Sequence, residues 1–599
     1  MIPIPADQVA EATTALDAVQ VLRGGAVVYW LEGRPDGHDV LVRWTPEDGA
    51  RDVLPPGTDV ASYVHEYGGG AYYATDTEVW FCYASDQRIY RTTDHKPVPV
   101  TSATGARYTD MRPGATGLWT VRERHEGDRV VNDLAWIPAS GSPRTAASGW
   151  DFYSFPRPSP DGRWLAWTCW NAPTMPWDGT TLYIAEILDD SGTLSTPQRI
   201  AGGPDESVFQ PEWSPDGVLH FISDRTGWWN LYRWTGDRVE PVLQRHAELG
   251  VAQWEFGYST YTFLDDAIAV LVQQGGTQTI ELLRDGKTSV LDLPYTSIKP
   301  YLSGSATTIA AIASNPQQPP QIVLIDAATG HHQPLTTPAT HTHPATTPEP
   351  FSFPTRDGNT AHGLYHSPPA AGGPPPLIVK AHPGPTANTP LRLDWHTQYF
   401  TSRGYAVAEI DYRGSTGYGR AYRQALHSQW GLLDAHDCAD AATHLAATGR
   451  ADPDRTVIWG ASAGGYTALR ALATTDTFTA AIAHCPVIDP ATWRDAAPKF
   501  QAHHADTLIG PWPDTAPTYE ERSLLHHPED ITRPVLILHG DNDPITPPAQ
   551  SRALAAALGA QARLLTFPGE GHVLRSPESI KQALTAEENF LADLPDTAP

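Results

Sequence analysis

The sequence predicts two folds in one chain: an all-β propeller of about seven blades, then a doubly wound, mostly parallel α/β sheet. Three observations carry this. From about residue 26 to 335 the pattern is short runs such as Ala26-Val-Val-Tyr-Trp-Leu31, Glu78-Val-Trp-Phe-Cys-Tyr83 and Thr181-Leu-Tyr-Ile-Ala-Glu-Ile187, cut by Gly, Asp and Pro turns. Two imperfect repeats, Pro158-Ser-Pro-Asp-Gly-Arg-Trp-Leu-Ala-Trp167 and Trp213-Ser-Pro-Asp-Gly-Val-Leu-His-Phe221, fall roughly 50 residues apart. After a Pro-, Thr- and His-rich stretch from Pro334 to Pro350, strand and helix patterns alternate to the C-terminus.

These shifts divide the chain into an N-terminal segment (1–25), a propeller (26–345) and an α/β unit (346–599). Blades of about 40 to 50 residues would number roughly seven in the β region. The amphipathic stretch Glu11 to Leu22 is expected to pack back on the α/β unit.

Chemistry enters at Gly460-Ala-Ser-Ala-Gly464. It follows the apolar run Thr456-Val-Ile-Trp459 and precedes a helix-like stretch, Tyr466 to Leu472. A sharp strand-to-helix turn strains the backbone and exposes the Ser462 hydroxyl as a nucleophile. Two further strand-end loops matter: Asp541-Asn-Asp-Pro-Ile-Thr-Pro547 after Pro534 to Gly540, and Pro568-Gly-Glu-Gly-His572 after Ala562 to Phe567. Strand-end loops collect catalytic groups in parallel sheets, and the chain order Ser, Asp, His is that of α/β-hydrolases. His572 is the candidate base, with Asp541 and Asp543 both available to orient it. An oxyanion would need two backbone donors. Ala463 follows the nucleophile; in the loop His382-Pro-Gly-Pro-Thr386, Pro383 and Pro385 lack N–H groups, which leaves Gly384.

Composition excludes several function classes. At 599 residues the chain is too long for one core. A formal charge of −27 argues against nucleic acid or an anionic membrane as partner. Four scattered cysteines (Cys82, Cys169, Cys438, Cys485) fit reduced thiols rather than a disulfide framework or zinc site. The N-terminus has no signal-peptide pattern and no apolar run would span a bilayer, so a cytoplasmic protein is expected. Among 24 histidines, including His331-His332, His341, His503-His504 and His526-His527, no spacing suggests a ligand set; no metal and no cofactor are expected. Gly68-Gly-Gly70 has no lysine and no following helix, so it reads as a blade turn. Trp228-Trp229 read as blade packing.

The chain resembles the prolyl oligopeptidase family of serine peptidases, particularly its acylaminoacyl-peptidase-like and bacterial aminopeptidase branches. The resemblance rests on Asp411-Tyr-Arg-Gly-Ser-Thr-Gly-Tyr-Gly419, Gly460 to Gly465, His539-Gly-Asp-Asn-Asp543 and Gly569-Glu-Gly-His572. In the β region it rests on His65-Glu-Tyr-Gly-Gly-Gly70, Met175-Pro-Trp-Asp178, Gln210 to Gly217 and Asp224 to Tyr232. It implies Ser462 as nucleophile, Asp543 as acid and His572 as base, with Asp541 displaced by the family spacing. The family's His-Gly-Gly-Pro loop reads His382-Pro383-Gly384-Pro385 here, which stiffens it. A propeller lid would admit only peptides and small amides. Carboxylates that hold a free substrate ammonium in some members make Glu206, with Asp205 beside it, a candidate; the plain alternative is a solvated loop pair. Trp493 and Trp512 are candidates for lining the pocket before the cut bond. The resemblance thus implies a serine exopeptidase acting on N-terminal aminoacyl or short peptidyl amides, with oligomeric state left open. An acylaminoacyl peptidase, or an amidase or esterase for a small metabolite such as a peptidyl antibiotic, is the alternative, and an inactive propeller scaffold a third.

Overall fold

The computed structural model describes residues 3–12, 15–92, 96–103, 105–139, 141–336, 345–369 and 373–595. Met1 and Ile2, and residues 337–344 of the expected linker with His341, lie outside them. Seven antiparallel sheets span 16–52, 72–99, 107–147, 152–203, 208–243, 261–290 and 297–334. Each is built from consecutive strands, so each is a propeller blade. The two Ser-Pro-Asp-Gly repeats are the same hairpin turn in the fourth and fifth blades. In each, the serine Oγ donates to the aspartate Oδ1 (Ser159 to Asp161, 2.6 Å; Ser214 to Asp216, 2.5 Å), and the glycine takes a positive φ that turns the chain.

Among the described residues no strand is shared between the first and last blades, and side chains close the ring. Val21 N and Gly24 N donate to Ser303 Oγ and Ser305 Oγ, and Lys299 Nζ meets Asp17 Oδ1 at 2.6 Å. This corrects the N-terminal reading. Leu16–Leu22 is the first blade's opening strand, not part of a helix, and the helix is the shorter Ala6–Glu11 (α1). A bulge at Ala18, φ 54°, breaks the strand alternation, so Leu16, Val19 and Leu22 fall at helix-like intervals. Ile4 and Val9, around and in α1, pack against the α/β unit, on Tyr399, Leu584 and Phe590.

The α/β unit has eight strands: β1 Glu349–Pro354, β2 Thr360–His366, β3 Leu377–Ala381, β4 Ala406–Asp411, β5 Thr456–Ala461, β6 Ala480–His484, β7 Val535–Gly540 and β8 Ala562–Phe567. Their order is β1-β2-β4-β3-β5-β6-β7-β8; β2 runs antiparallel to β1 and β4, and the other pairs are parallel. This is an α/β-hydrolase sheet. Besides α1, the main helices are α2 Trp395–Thr401, α3 Leu433–Ala447, α4 Ala463–Thr474, α5 Ala549–Leu558 and α6 Pro577–Ala592. Parallel strands covered on both faces must be apolar throughout. Leu377, Val379 and Ala381 accordingly face α3 and α4, while Ile378, Val407 and Leu536 face α1, α2 and α6.

A buried ionic contact joins the two parts. Arg420 and Arg423, after β4, reach Asp224 Oδ2 of the fifth blade at 2.5 and 2.6 Å. Arg423 also lies over the Trp229 ring at 4.0 Å, and Glu248 accepts from Trp229 N and Gly419 N. Burial raises the Asp224 carboxyl, and the two guanidinium groups oppose that rise. Replacing Asp224 with Ala strands two buried cations, a change that costs about 3–5 kcal/mol when one partner of a buried pair is lost. Calorimetry on Asp224→Ala is expected to show a clearly lower unfolding midpoint; an unchanged midpoint contradicts this role.

Candidate active site

Ser462 stands between β5 and α4 with φ 55° and ψ −120°. That conformation is strained for a residue with a Cβ and persists only where its surroundings enforce it. Ser462 N donates to His484 O at 2.9 Å, tying the turn to the end of β6. The flanking glycines are steric necessities. A Cβ on Gly460 would sit 2.0 Å from Gly464 O, and one on Gly464 would sit 2.4 Å from Ala381 O.

Asp543 and His572 come from the loops after β7 and β8. His572 Nδ1 and Asp543 Oδ2 are 2.7 Å apart. Asp543 Oδ1 accepts from Ile545 N (2.8 Å) and Thr546 N (3.0 Å), and Thr546 Oγ1 stands 2.8 Å from Oδ2. Burial would raise this carboxyl, but His539, His572 and the loop donors hold it well below the usual range. It is an anion aimed at the ring. Burial would lower the His572 imidazole, yet the Cys485 sulfur and then Asp543 outweigh it and raise it. The sulfur's share needs a thiolate, whereas the Cys485 S–H donates to His572 O at 3.2 Å, so the Asp543 carboxylate is the lasting cause.

Ser462 and His572 line one cavity of about 490 Å³, together with Pro383, His484 and Cys485. The two side chains are not hydrogen-bonded to each other: His572 Nδ1 bonds Asp543 and Thr546. The fold therefore supplies the base–acid bond of the expected three-way contact and leaves the serine–base bond open, as free enzymes often do.

The expected oxyanion donors are not aimed together. Ala463 N donates to Pro383 O at 3.1 Å. Pro383 C=O and Gly384 N–H belong to one planar trans peptide and point opposite ways, so Gly384 N–H faces away from Ala463. The loop is pinned in this state. Gly384 O accepts from His382 Nδ1 (2.6 Å) and from Tyr412 Oη (3.1 Å), while His382 Nε2 bonds Ser415 Oγ at 2.7 Å. Burial pushes the His382 imidazole down to about 4, so it is neutral there.

The substrate-binding candidates lie elsewhere. Glu206 is paired with Arg225 at 2.7 Å and accepts from Ser223 Oγ, so its charge is already matched, and Asp205 is exposed beside it. Trp493 is buried and donates from Nε1 to Ile545 O at 3.0 Å, which braces the Asp543 loop. Trp512 is 38% exposed, edge-on to Tyr519. None of the four lines the Ser462 cavity.

Sequence reasoning missed a packed aromatic cluster where the α/β unit meets the propeller. Phe500 stacks on His65 at 4.8 Å and meets Phe152 edge-on, and Trp177 and Trp254 lie 4.3 Å apart beside it. Trp254 Nε1 donates to Thr386 O (2.8 Å), which joins the cluster to the 382–386 loop. The sequence signals were the His65-Glu-Tyr motif and Met175-Pro-Trp-Asp178, which supplies Trp177. Burial and the nearby Asp543 carboxylate push the Tyr67 phenol of the first motif upward, so it stays protonated.

A sequence model of the prolyl oligopeptidase family matches residues 391–596. The whole chain is similar to a puromycin-hydrolysing peptidase of Mycobacterium tuberculosis, with 34% identity and a TM-score of 0.94, covering 100% of this chain and 97% of that one. A solved puromycin hydrolase gives 32% identity and a TM-score of 0.94 over 99% of this chain and 96% of that one. Dipeptidyl aminopeptidase BIII of Pseudoxanthomonas mexicana is 32% identical over 234 residues, 37% of this chain and 34% of that protein. The chain thus matches about a third of the length of that curated relative. Among the described residues no helix is long and apolar enough to cross a membrane.

The elbow makes a direct prediction. Gly464→Ala forces a Cβ against Ala381 O and His382 O, so β3 and α4 must separate around Ser462. Hydrolysis is expected to fall by at least about 100-fold, the scale of losing one oxyanion donor, with a lowered thermal midpoint. Unchanged kinetics would contradict this tight fit.

Proposed function

The chain belongs to the prolyl oligopeptidase family, and we propose that it is a serine exopeptidase that removes N-terminal aminoacyl or short peptidyl groups from small peptides and amides. One observation carries this reading: a strained, outward-turned Ser462 shares a cavity with an imidazole that Asp543 holds by its Nδ1. In the neutral ring, with Nδ1–H directed to Asp543, Nε2 is free to take the Ser462 proton as Oγ attacks the scissile carbonyl. The proton then passes to the leaving amine, giving an acyl-enzyme, and water activated by the same ring releases the acid.

Attack generates an oxyanion beside Ala463 N, where Pro383 O stands now. The Pro383 carbonyl occupies the donor that the oxyanion needs. Rotation of the Pro383–Gly384 peptide would remove the carbonyl and present Gly384 N–H in the same movement, which makes Gly384 and Ala463 the two donors of the reacting state.

The substrate class follows from size and lining. A propeller lid of the family's kind would keep folded proteins out, and Pro320 of the last blade lines the Ser462 cavity. The packed rings of His65, Phe152, Trp177, Trp254 and Phe500 abut the 382–386 loop through Trp254, an apolar wall that favours an aminoacyl group with an aromatic or large apolar side chain. The puromycin hydrolysis named for the similar solved proteins is compatible with such an aminoacyl amide. An acylaminoacyl peptidase is the second reading. It is favoured by the Glu206–Arg225 pair, which leaves that carboxylate already neutralised and a poor partner for a free ammonium. A cytoplasmic location belongs to the same proposal, supported by four buried cysteines that are all unpaired.

A fluorophosphonate probe is expected to label the wild type and not Ser462→Ala; equal labelling would remove Ser462 from the mechanism. Asp543→Asn is expected to lower kcat by about 1,000- to 10,000-fold through loss of the correct tautomer, and a loss below tenfold would refute that role. Aminoacyl-nitroanilides against their acetylated counterparts decide between the two readings: faster turnover of the free amines supports the first, of the acetylated forms the second.

A further inference from the structure

Cys485 has no part in the chemistry above, yet its thiol is held against the base. It follows β6 directly, at φ 36°, an uncommon conformation for a residue with a side chain. Its backbone is pinned on both sides: Cys485 N donates to Leu538 O at 2.8 Å, and Thr546 Oγ1 donates to Cys485 O at 2.9 Å. The thiol meets the His572 carbonyl at 3.2 Å.

The result is a three-donor cluster. Cys485 Sγ, an Asp543 carboxylate oxygen and a His572 ring nitrogen all lie within 4.8 Å of one another. Tetrahedral zinc, with bonds of about 2.0–2.3 Å, places its ligand atoms roughly 3.3–3.8 Å apart. Shifts of about 1 Å or less would bring these three to a common centre. The donor set, one sulfur, one imidazole and one carboxylate, is of the kind zinc accepts in sites that keep a fourth position for water. Access exists as well, because Cys485 and His572 line the same cavity as Ser462.

We propose that Cys485, His572 and Asp543 form an inhibitory site for a thiophilic divalent cation such as zinc. On binding, the thiol releases its proton to solvent, the ligating ring nitrogen releases its own if it carries one, and no electrons are transferred. The cation takes over the imidazole and the carboxylate that orients it, so the ring can no longer serve Ser462. The inhibition, though not the binding, rests on the proposed role of His572 as base. The three donors are far apart along the chain, which is why no ligand spacing was visible in the sequence.

Binding is measured on full-length Ser462→Ala, in which turnover plays no part. Titration with cobalt(II), a spectroscopic stand-in for zinc, is expected to give a thiolate-to-metal charge-transfer absorption that saturates at one equivalent. The band is expected to be absent when Cys485→Ser is added. Its absence from Ser462→Ala, or its persistence without Cys485, overturns the site. Inhibition is measured separately with zinc chloride on the wild type, Cys485→Ser and Cys485→Ala, each normalised to its own metal-free rate. Loss of an outer-shell partner alone costs 10- to 100-fold in metal affinity, so loss of a direct ligand should raise the half-inhibiting concentration at least about tenfold. Magnesium, a hard cation, is expected to leave the rate unchanged. Equal zinc sensitivity in all three proteins overturns the inhibitory role. If no substrate is turned over, the cobalt titration still decides the site while the peptidase reading fails on its own.

Discussion

The backbone at Ser462 is the constraint around which the α/β unit is arranged. A serine at φ 55° and ψ −120° carries strain of order 1–3 kcal/mol, which neighbours must sustain. They do so by close approach. Glycines at 460 and 464 let β5, α4 and β3 meet at distances that any Cβ would forbid, and His484 O holds the serine N–H. The sheet beneath is packed by helices on both faces, so the turn has nowhere to relax.

Asp543 and His572 depend on the same frame. Thr546 N donates to Asp543 Oδ1 and Thr546 Oγ1 donates to Cys485 O, linking the loop after β7 with the end of β6; Trp493 braces that loop from the other side at Ile545 O. An anion supported by so many donors stays charged and holds the His572 ring in one orientation. The propeller contributes through contact as well as cover. Its Trp254 grips the 382–386 loop, and Phe500 of the α/β unit enters the propeller's aromatic rings. The pairing of Arg420 and Arg423 with Asp224 sets how the two parts meet.

Much of this was legible in the residues, and the exceptions share a cause. Gly-x-Ser-x-Gly between a strand and a helix is a local signal, and so are the blade turns and the Ser, Asp, His order. The strand Leu16–Leu22 was obscured because one bulge at Ala18 moved its apolar positions off alternation. Glu206 looked like a free carboxylate because Arg225, 19 residues away, becomes its partner only when the hairpin folds. Trp493 was placed near the chemistry but given a lining role, where it is a brace. The orientation of the Pro383–Gly384 peptide is not a property of residue type at all. It follows from three hydrogen-bonding groups, His382, Tyr412 and Ala463, meeting in space. Cys485 gave no signal because its neighbours are about 60 to 90 residues distant in the chain.

The account turns on Ser462 becoming a nucleophile served by His572, with an oxyanion site assembled as it reacts. A crystal structure of the protein with a peptidyl boronate tests this most directly. The prediction is a tetrahedral boron bonded to Ser462 Oγ, one boron oxygen accepting from Ala463 N and Gly384 N, and His572 Nε2 within hydrogen-bonding reach. A boronate bound without a bond to Ser462, or one bonded there while Ala463 N still donates to Pro383 O, would contradict it.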